Sequence, residues 1–460
     1  MGDMAFDMRM SDQEALMWAL EQDPVLRSTF ANITFLDRPA NHSRLRERLL
    51  RAVELVPRLR HRVVDAAGGF SAPSWVEDPL FDIDFHLRRV AVPAPGGVEE
   101  VLELAAMWSA DPFDRARPLW QFLLVEGVEG GRGAMIQKLH HTITDGEGGV
   151  RLSTKFLDLE RDPVAPLDDG EEAPVAAAPR STIESMADGV RRPLDLARRA
   201  MAEAVETVSN PLAVPGRAGD AVGTARSLMR QVAVTEPSRS PLWTERSLRR
   251  HLEILSIPLE DAKRAATALG GTVNDLFVTG AAGAAGAYHR ERGAEVDLLR
   301  MAMPISTRQS GASGSNAFAP TRLLVPVGIP DPAERFTAVQ EVLATTKAER
   351  ALGAAAGMAG VLATLPTSLL VRVARQQVGT VDFTTSNVRG AGFDLYFAGA
   401  RIEANHPIGP LAGTAFNLTT LSYAGNLDMG LLVDTAAIDD PALLRDLLAL
   451  SYEELLAAGR

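Results

Sequence analysis

The sequence predicts an α/β protein made of two halves joined by a flexible connector. Three observations carry this. Strand-like and helix-like segments alternate up to about residue 160, and again from about residue 250 to the end. Between them, Arg161 to Arg180 is rich in Pro, Ala, Asp and Glu and has no apolar period. At 460 residues the chain exceeds the usual size of one domain. The divisions are therefore 1–160, 161–249 and 250–460.

Each element has its own signal. Ser11-Asp12-Gln13-Glu14 is a capping box that opens a helix. Asn32 to Leu36 is a strand. Ser43 to Val56 is a helix, with apolar positions at Leu45, Leu49, Ala52, Val53 and Val56. Phe81 to Leu87 alternates like a half-buried strand. Val98 to Ser109 is helical. Trp120 to Val125 and Ala134 to His140 are strands around a Gly-rich hairpin. In the connector, Ser181-Thr182-Ile183-Glu184 is a second capping box, and weakly amphipathic helices run to about Val234. In the second half Leu252 to Ile257 is a strand and Pro258 to Leu269 a helix. Val273 to Tyr288 is a long Ala/Gly-rich helix. Strands follow at Leu298 to Met303, Thr321 to Val327, Thr380 to Asn387, Leu395 to Ala398, Leu418 to Tyr423 and Leu427 to Val433. A helix from Asp440 to Ala458 closes the chain.

Composition narrows the function. Hydrophobic residues make up 46% and charged residues 23%, as in a globular protein. The net charge of −12 argues against a nucleic-acid partner. With no cysteine, disulfides, thiolate catalysis and cysteine metal sites are excluded. The N-terminus carries Asp3, Asp7, Asp12 and Glu14 and no apolar core of a signal peptide. The longest uncharged run, Ala351 to Val371, is only weakly apolar and contains Pro366, so a helix within or on the protein is expected rather than a membrane span. The expected location is the cytoplasm.

The candidate site is His140-His141-Thr142-Ile143-Thr144-Asp145-Gly146, placed between a strand and a helix. It supplies an imidazole base, a carboxylate that holds the local structure, and a glycine free to take positive φ. Neighbouring strand residues face opposite ways, so His140 and His141 do not share one metal ion. No G-x-S-x-G, Walker or dinucleotide fingerprint is present. Two readings remain. One is a lone histidine base that transfers an acyl group from an activated thioester to a hydroxyl or amine. The other is a buried histidine pair with a structural aspartate.

The ordered motifs resemble the bacterial wax ester synthase/diacylglycerol acyltransferase family, a branch of the coenzyme A-dependent acyltransferases. These motifs are Trp75-Val76-Glu77-Asp78, Asp114 to Trp120 with its Pro118-Leu119-Trp120, and the HHTITDG segment. In the second half they are Thr272-Val273-Asn274-Asp275, Pro304-Ile305-Ser306-Thr307-Arg308, Asp382 to Val388, and Asn417 to Gly425. The resemblance covers most of residues 10 to 455. The chain departs from the family at Arg389, where a proline is usual and would fix φ.

The resemblance implies two chloramphenicol-acetyltransferase-like α/β halves with mixed sheets flanked by helices, and an active site at their interface. It implies His141 as general base, with His140 supporting the loop and Gly146 relieving the turn. Asp145 would pair with Arg308, or alternatively Arg117. Asn274 and Asp275 would brace a helix start. Ser386, Thr385 or Asn387 would donate to the oxyanion, and Trp120 would pack in the core. The implied partners are acyl-CoA, as substrate rather than cofactor, and a lipid alcohol, either diacylglycerol or a fatty alcohol. Two other readings stand beside it, a condensation-like ester or amide synthase and a silent lipid-binding relative. The arginines at 191, 192, 198, 199, 239, 246, 249 and 250 are expected on solvated helix faces, or on a lid or a surface that meets anionic lipid or coenzyme A phosphates. Peripheral contact with the inner membrane or lipid inclusions would follow.

Overall fold

The computed structural model describes residues 8–65, 72–144, 146–163, 237–306, 318–348 and 367–459. The connector's capping box at Ser181, its helices, and most of the uncharged run from Ala351 lie outside these residues.

Along the first half run α1 (Asp12–Leu20), β1 (Thr29–Leu36), α2 (His42–Leu55), β2 (His61–Val64), β3 (Ser74–Glu77), α3 (Ile83–His86) and β4 (Leu87–Ala91). Then come α4 (Val98–Ala110), β5 (Trp120–Glu126), β6 (Gly133–His140) and α5 (Gly146–Ser153). The second half opens with β7 (Arg250–Pro258), α6 (Leu259–Ala268), α7 (Val273–Glu291), β8 (Leu298–Ser306) and β9 (Phe318–Pro326). It continues through α8 (Pro332–Ala348), α9 (Thr367–Val378), β10 (Phe383–Arg389), β11 (Tyr396–Phe397), β12 (Ala400–Ile408), β13 (Phe416–Tyr423), β14 (Asn426–Asp434) and α10 (Pro441–Ala458).

Local chemistry starts these helices. Ser11 and Glu14 form the reciprocal cap of α1. Asn41 accepts the Arg44 N–H at 3.0 Å to open α2. The Asp440 side chain caps α10 through the Leu443 N–H. The buried face of α2 consists of Leu45, Leu49, Ala52 and Val53, as its spacing predicts.

Two mixed six-stranded sheets result. Their orders are β11-β12-β1-β6-β5-β4 and β7-β14-β13-β10-β8-β9. The first sheet therefore takes two strands from residues beyond 390. Strand β12 lies antiparallel to β1, from Ala31 opposite Ile408 to Leu36 opposite Ile402. Apolar residues seal the seam: Ala31, Ile33 and Ala105 join Leu252, Ile408 and Leu432 in one cluster. A polar strip runs beside it. Thr34 Oγ1 donates to Asn405 Oδ1 at 2.9 Å, and Asn405 N donates to Asp428 Oδ2 at 2.8 Å. The seam is tight: a Cβ on Gly430 of β14 would stand 2.1 Å from the Pro407 carbonyl oxygen of β12.

Several expectations are corrected. Phe81 to Leu87 is not one strand. Asp82 accepts the Asp84 N–H at 3.0 Å and starts the single turn α3, and β4 begins only at Leu87. Ile83 and Leu87, four residues apart, are buried in the first-half core. His86 lies between Phe81 at 5.2 Å and Trp120 at 4.5 Å. Strand β11 is reduced to Tyr396–Phe397. Arg246 and Arg250 serve the protein's own fold rather than an open anionic surface. Arg246 Nε donates to the Gly413 carbonyl at 2.8 Å, and Arg250 Nη1 donates to the Ser247 carbonyl at 2.9 Å. Arg191, Arg192, Arg198 and Arg199 lie outside the described residues.

The buried stack makes an acid-sensitivity prediction. His86 Nδ1 donates to the Trp120 carbonyl at 2.7 Å. Burial nevertheless pushes its pKa down from 6.5 to about 4. The unfolded chain therefore binds more protons between those values. The stability tied to neutral His86 is complete above pH ~6.5 and is lost as pH falls toward ~4. Replacing His86 with Asn keeps an N–H donor for Trp120 and removes the titration. Urea unfolding at pH 7 and pH 5 should show a loss smaller by about 2 kcal/mol in His86→Asn than in the wild type. An equal loss in both would refute this assignment.

Candidate active site

The motif begins where β6 ends. The His140 N–H donates to the Leu119 carbonyl at 3.1 Å and the His141 N–H to the Ser28 carbonyl at 3.1 Å. The Pro118-Leu119-Trp120 element thus extends the ladder that holds the first histidine. Trp120 is a core residue whose Nε1 donates to the Leu59 carbonyl at 2.8 Å.

Strand alternation then separates the two imidazoles. His140 is fully buried. Its Nδ1 accepts the Thr142 N–H at 3.1 Å and sits 2.7 Å from the Thr142 hydroxyl. The proton of neutral His140 is therefore on Nε2, which donates to Glu21 Oε2 at 3.0 Å. His141 is half-buried and its ring lies 4.7 Å from Phe30 at a 38° tilt. So His140 anchors the motif in the core while His141 is carried outward.

Arg58 braces the turn. Its Nη1 donates to the Thr142 carbonyl at 2.9 Å, it pairs with buried Glu14, and it lies 4.9 Å over Trp75. Glu14 thus has a second task beyond capping α1. Arg117 reaches Asp78 at 3.4 Å and the Leu80 carbonyl. Asp145 and Arg308 lie outside the described residues.

Gly146 acts differently from expectation. Its φ is not in the left-handed region. Its requirement is closeness: a Cβ there would stand 2.9 Å from Val388 Cγ2. The start of α5 is thereby seated directly on β10 of the second half.

The parity of β10 sorts the three oxyanion candidates. Thr385 is fully buried and its hydroxyl donates to Met301 Sδ at 3.3 Å, so it is committed to the second half's core. Asn387 points with it, and its amide donates to Asn274 Oδ1 at 3.3 Å. Ser386 shares the parity of Val388, the residue that meets Gly146. Asp275 is a cap: its carboxylate accepts the Thr272 N–H at 2.8 Å, and Thr272 Oγ1 accepts the Asp275 N–H at 3.3 Å, opening α7.

Sequence reasoning missed Glu21, Ser28 and Arg58. Glu21 lies just past α1, where an acidic residue suggests a solvated helix end. It is instead buried against a cavity of ≈ 190 Å³ lined also by Trp18, Arg27, Phe113, Arg115 and His140. Among the described residues no group of three or more potential ligands could hold a metal ion, and no helix is long and apolar enough to cross a membrane.

Comparison with known proteins agrees with this geometry. The wax ester synthase/diacylglycerol acyltransferase catalytic domain matches residues 10–277, and the C-terminal domain of that family matches residues 314–456. A putative diacylglycerol O-acyltransferase of Mycobacterium tuberculosis is 35% identical, over 98% of this chain and 92% of its own. The solved wax ester synthase/diacylglycerol acyltransferase of Marinobacter aquaeolei superposes with a TM-score of 0.69 at 20% identity, covering 99% of this chain and 100% of its own. The first condensation domain of the calcium-dependent antibiotic synthetase shares the fold, with a TM-score of 0.57 at 18% identity over 99% and 97% of the two chains. The starter condensation domain of rhizomide synthetase, solved with C8-CoA, does so at 0.57 and 14% over 97% and 94%. The two domains of one family matched in order along the chain, and a relative 35% identical over nearly its whole length, lead to one conclusion: this chain belongs to the wax ester synthase/diacylglycerol acyltransferase family.

Proposed function

We propose that the protein transfers a long-chain acyl group from acyl-CoA to a lipid hydroxyl, making triacylglycerol from diacylglycerol, wax ester from a fatty alcohol, or both. The observation that carries this is the division of labour in the motif. His140 is fully buried with both ring nitrogens bonded within the first half, and His141, half-buried on the opposite side of the strand end, is the imidazole we assign to the substrate. His141 takes the proton of the acceptor hydroxyl while that oxygen attacks the thioester carbonyl. The tetrahedral intermediate collapses, the C–S bond breaks, and the proton passes to the departing coenzyme A sulfur. Ser386 is the oxyanion donor we favour, because it shares the β10 parity of Val388, which meets Gly146. Asp145 is assigned to holding the loop.

No cofactor enters this scheme, since the thioester is already activated. The family names of the relatives and the C8-CoA bound by the rhizomide domain support acyl-CoA as donor. A lipid acceptor implies work at a lipid surface, and peripheral attachment there is part of the proposal.

The test is a competition. Purified protein receives palmitoyl-CoA with diacylglycerol and hexadecanol presented in the same oil droplets. Release of free thiol with formation of triacylglycerol or wax ester, and co-sedimentation with the droplets, is expected. Thiol release that depends on neither acceptor would overturn the assignment.

A further inference from the structure

We propose that Glu21 is a positioning residue for the reaction, acting through His140 and Ser28 on the base. The inference rests on His141 being that base. Glu21 Oε2 accepts two hydrogen bonds at once, from the Ser28 N–H at 3.0 Å and from His140 Nε2 at 3.0 Å. Ser28 in turn presents its carbonyl to the His141 N–H at 3.1 Å. The peptide that carries the base is therefore clamped on both sides by one carboxylate. On one side runs Glu21–His140–Thr142, on the other Glu21–Ser28–His141.

The clamp is built to be rigid. Glu21 is 8% exposed, and Arg27 Nε stands 4.0 Å from its other oxygen. Being acceptor-only, the carboxylate also keeps the proton of His140 on Nε2, which frees Nδ1 to take the Thr142 N–H. Were the proton on Nδ1, that nitrogen and the Thr142 N–H would be two donors facing each other 3.1 Å apart. The turn after His141 would have to open, and the base would move with it. The same segment reaches the other half: Asp23, two residues on, takes Arg375 of α9 at 2.5 Å. The α1–β1 turn thus holds the catalytic motif at one end and the second half at the other.

The prediction concerns turnover rather than substrate affinity. Displacement of a reacting group by about 1 Å lowers rate on the order of 100-fold. Glu21→Ala should lower kcat by roughly that factor while KM for acyl-CoA stays within about twofold. Glu21→Gln presents an amide oxygen able to accept both bonds, and should recover kcat to within roughly fivefold of wild type. The double variant Glu21→Ala/His140→Ala should be no slower than the slower single variant, since both act on one path. Glu21→Ala with wild-type kcat, Glu21→Gln as slow as Glu21→Ala, or losses that multiply in the double variant would each overturn the proposal. His141→Ala is assayed alongside. If it remains active, the base assignment fails, whatever Glu21 does. If it is inactive while Glu21→Ala turns over normally, only the Glu21 proposal fails.

Discussion

Replacing His141 with Ala should lower kcat for acyl transfer on the order of 10³-fold, within the range a positioned general base contributes. The fold should survive. His141 is half-buried, and its backbone N–H bond to Ser28 is kept by any residue. Its ring packs against Phe30. The neighbouring substitution provides the contrast. His140→Ala removes a fully buried ring and leaves the Glu21 carboxylate and the Thr142 N–H without their partner. That variant should unfold at a lower temperature, whereas His141→Ala should melt near the wild type. The measurement is thiol release from palmitoyl-CoA together with a melting curve for each protein. Turnover by His141→Ala within tenfold of wild type would remove the residue from the chemistry.

Gly430→Ala should be the most damaging small substitution at the seam. The added methyl would meet the Pro407 carbonyl oxygen at 2.1 Å, far inside contact distance. That oxygen belongs to β12, which is held at Pro407 opposite Asn32 of β1, so it has little room to withdraw. Gly430 is itself paired with Thr419 and Ile254 in the second sheet. Relief therefore requires the two sheets to part. Overpacking of this kind costs about 3 kcal/mol. Denaturant unfolding measures it, and Gly392→Ala, where nothing lies within 4 Å of the added carbon, serves as the control. An unchanged midpoint for Gly430→Ala would mean that the seam is looser than described.

Much of the fold was legible because the signals are local. The capping box at Ser11, the α2 apolar spacing and the β5–β6 hairpin all lie within a few residues of what they specify. The separation of His140 from His141 was legible too, since it follows from strand alternation alone. Strand β12 was not. It contains Glu403, Asn405, His406 and Pro407, residue types that strands tend to avoid, and its ladder partner β1 lies more than 350 residues earlier. What stabilises those residues is the Asn405–Asp428 and Asn405–Thr34 contacts, which no local window contains. Glu21 and Arg58 escaped notice for the same reason. Each looks like an ordinary surface charge until a distant strand end comes to rest against it. Phe81 to Leu87 failed differently. Its apolar residues at 81, 83, 85 and 87 alternate like a strand, but they span a helical turn and the first residue of β4. Gly146 was found for the wrong reason, because a sequence suggests backbone freedom more readily than it suggests the approach of Val388.

The placing of β12 beside β1 bears on how the protein is made. Until residues up to Ile408 have left the ribosome, β1 is the outer strand of an incomplete sheet. Its free N–H and C=O groups and its apolar side chains stand open to any passing strand. At ordinary rates of synthesis the interval between completion of β6 and arrival of β12 is roughly 15 to 50 s. Throughout it both histidines of the motif are already synthesised, but the wall of the sheet that supports them is missing. A chain cut before residue 400 would lack β12 and leave β1 as an open edge of its own first sheet.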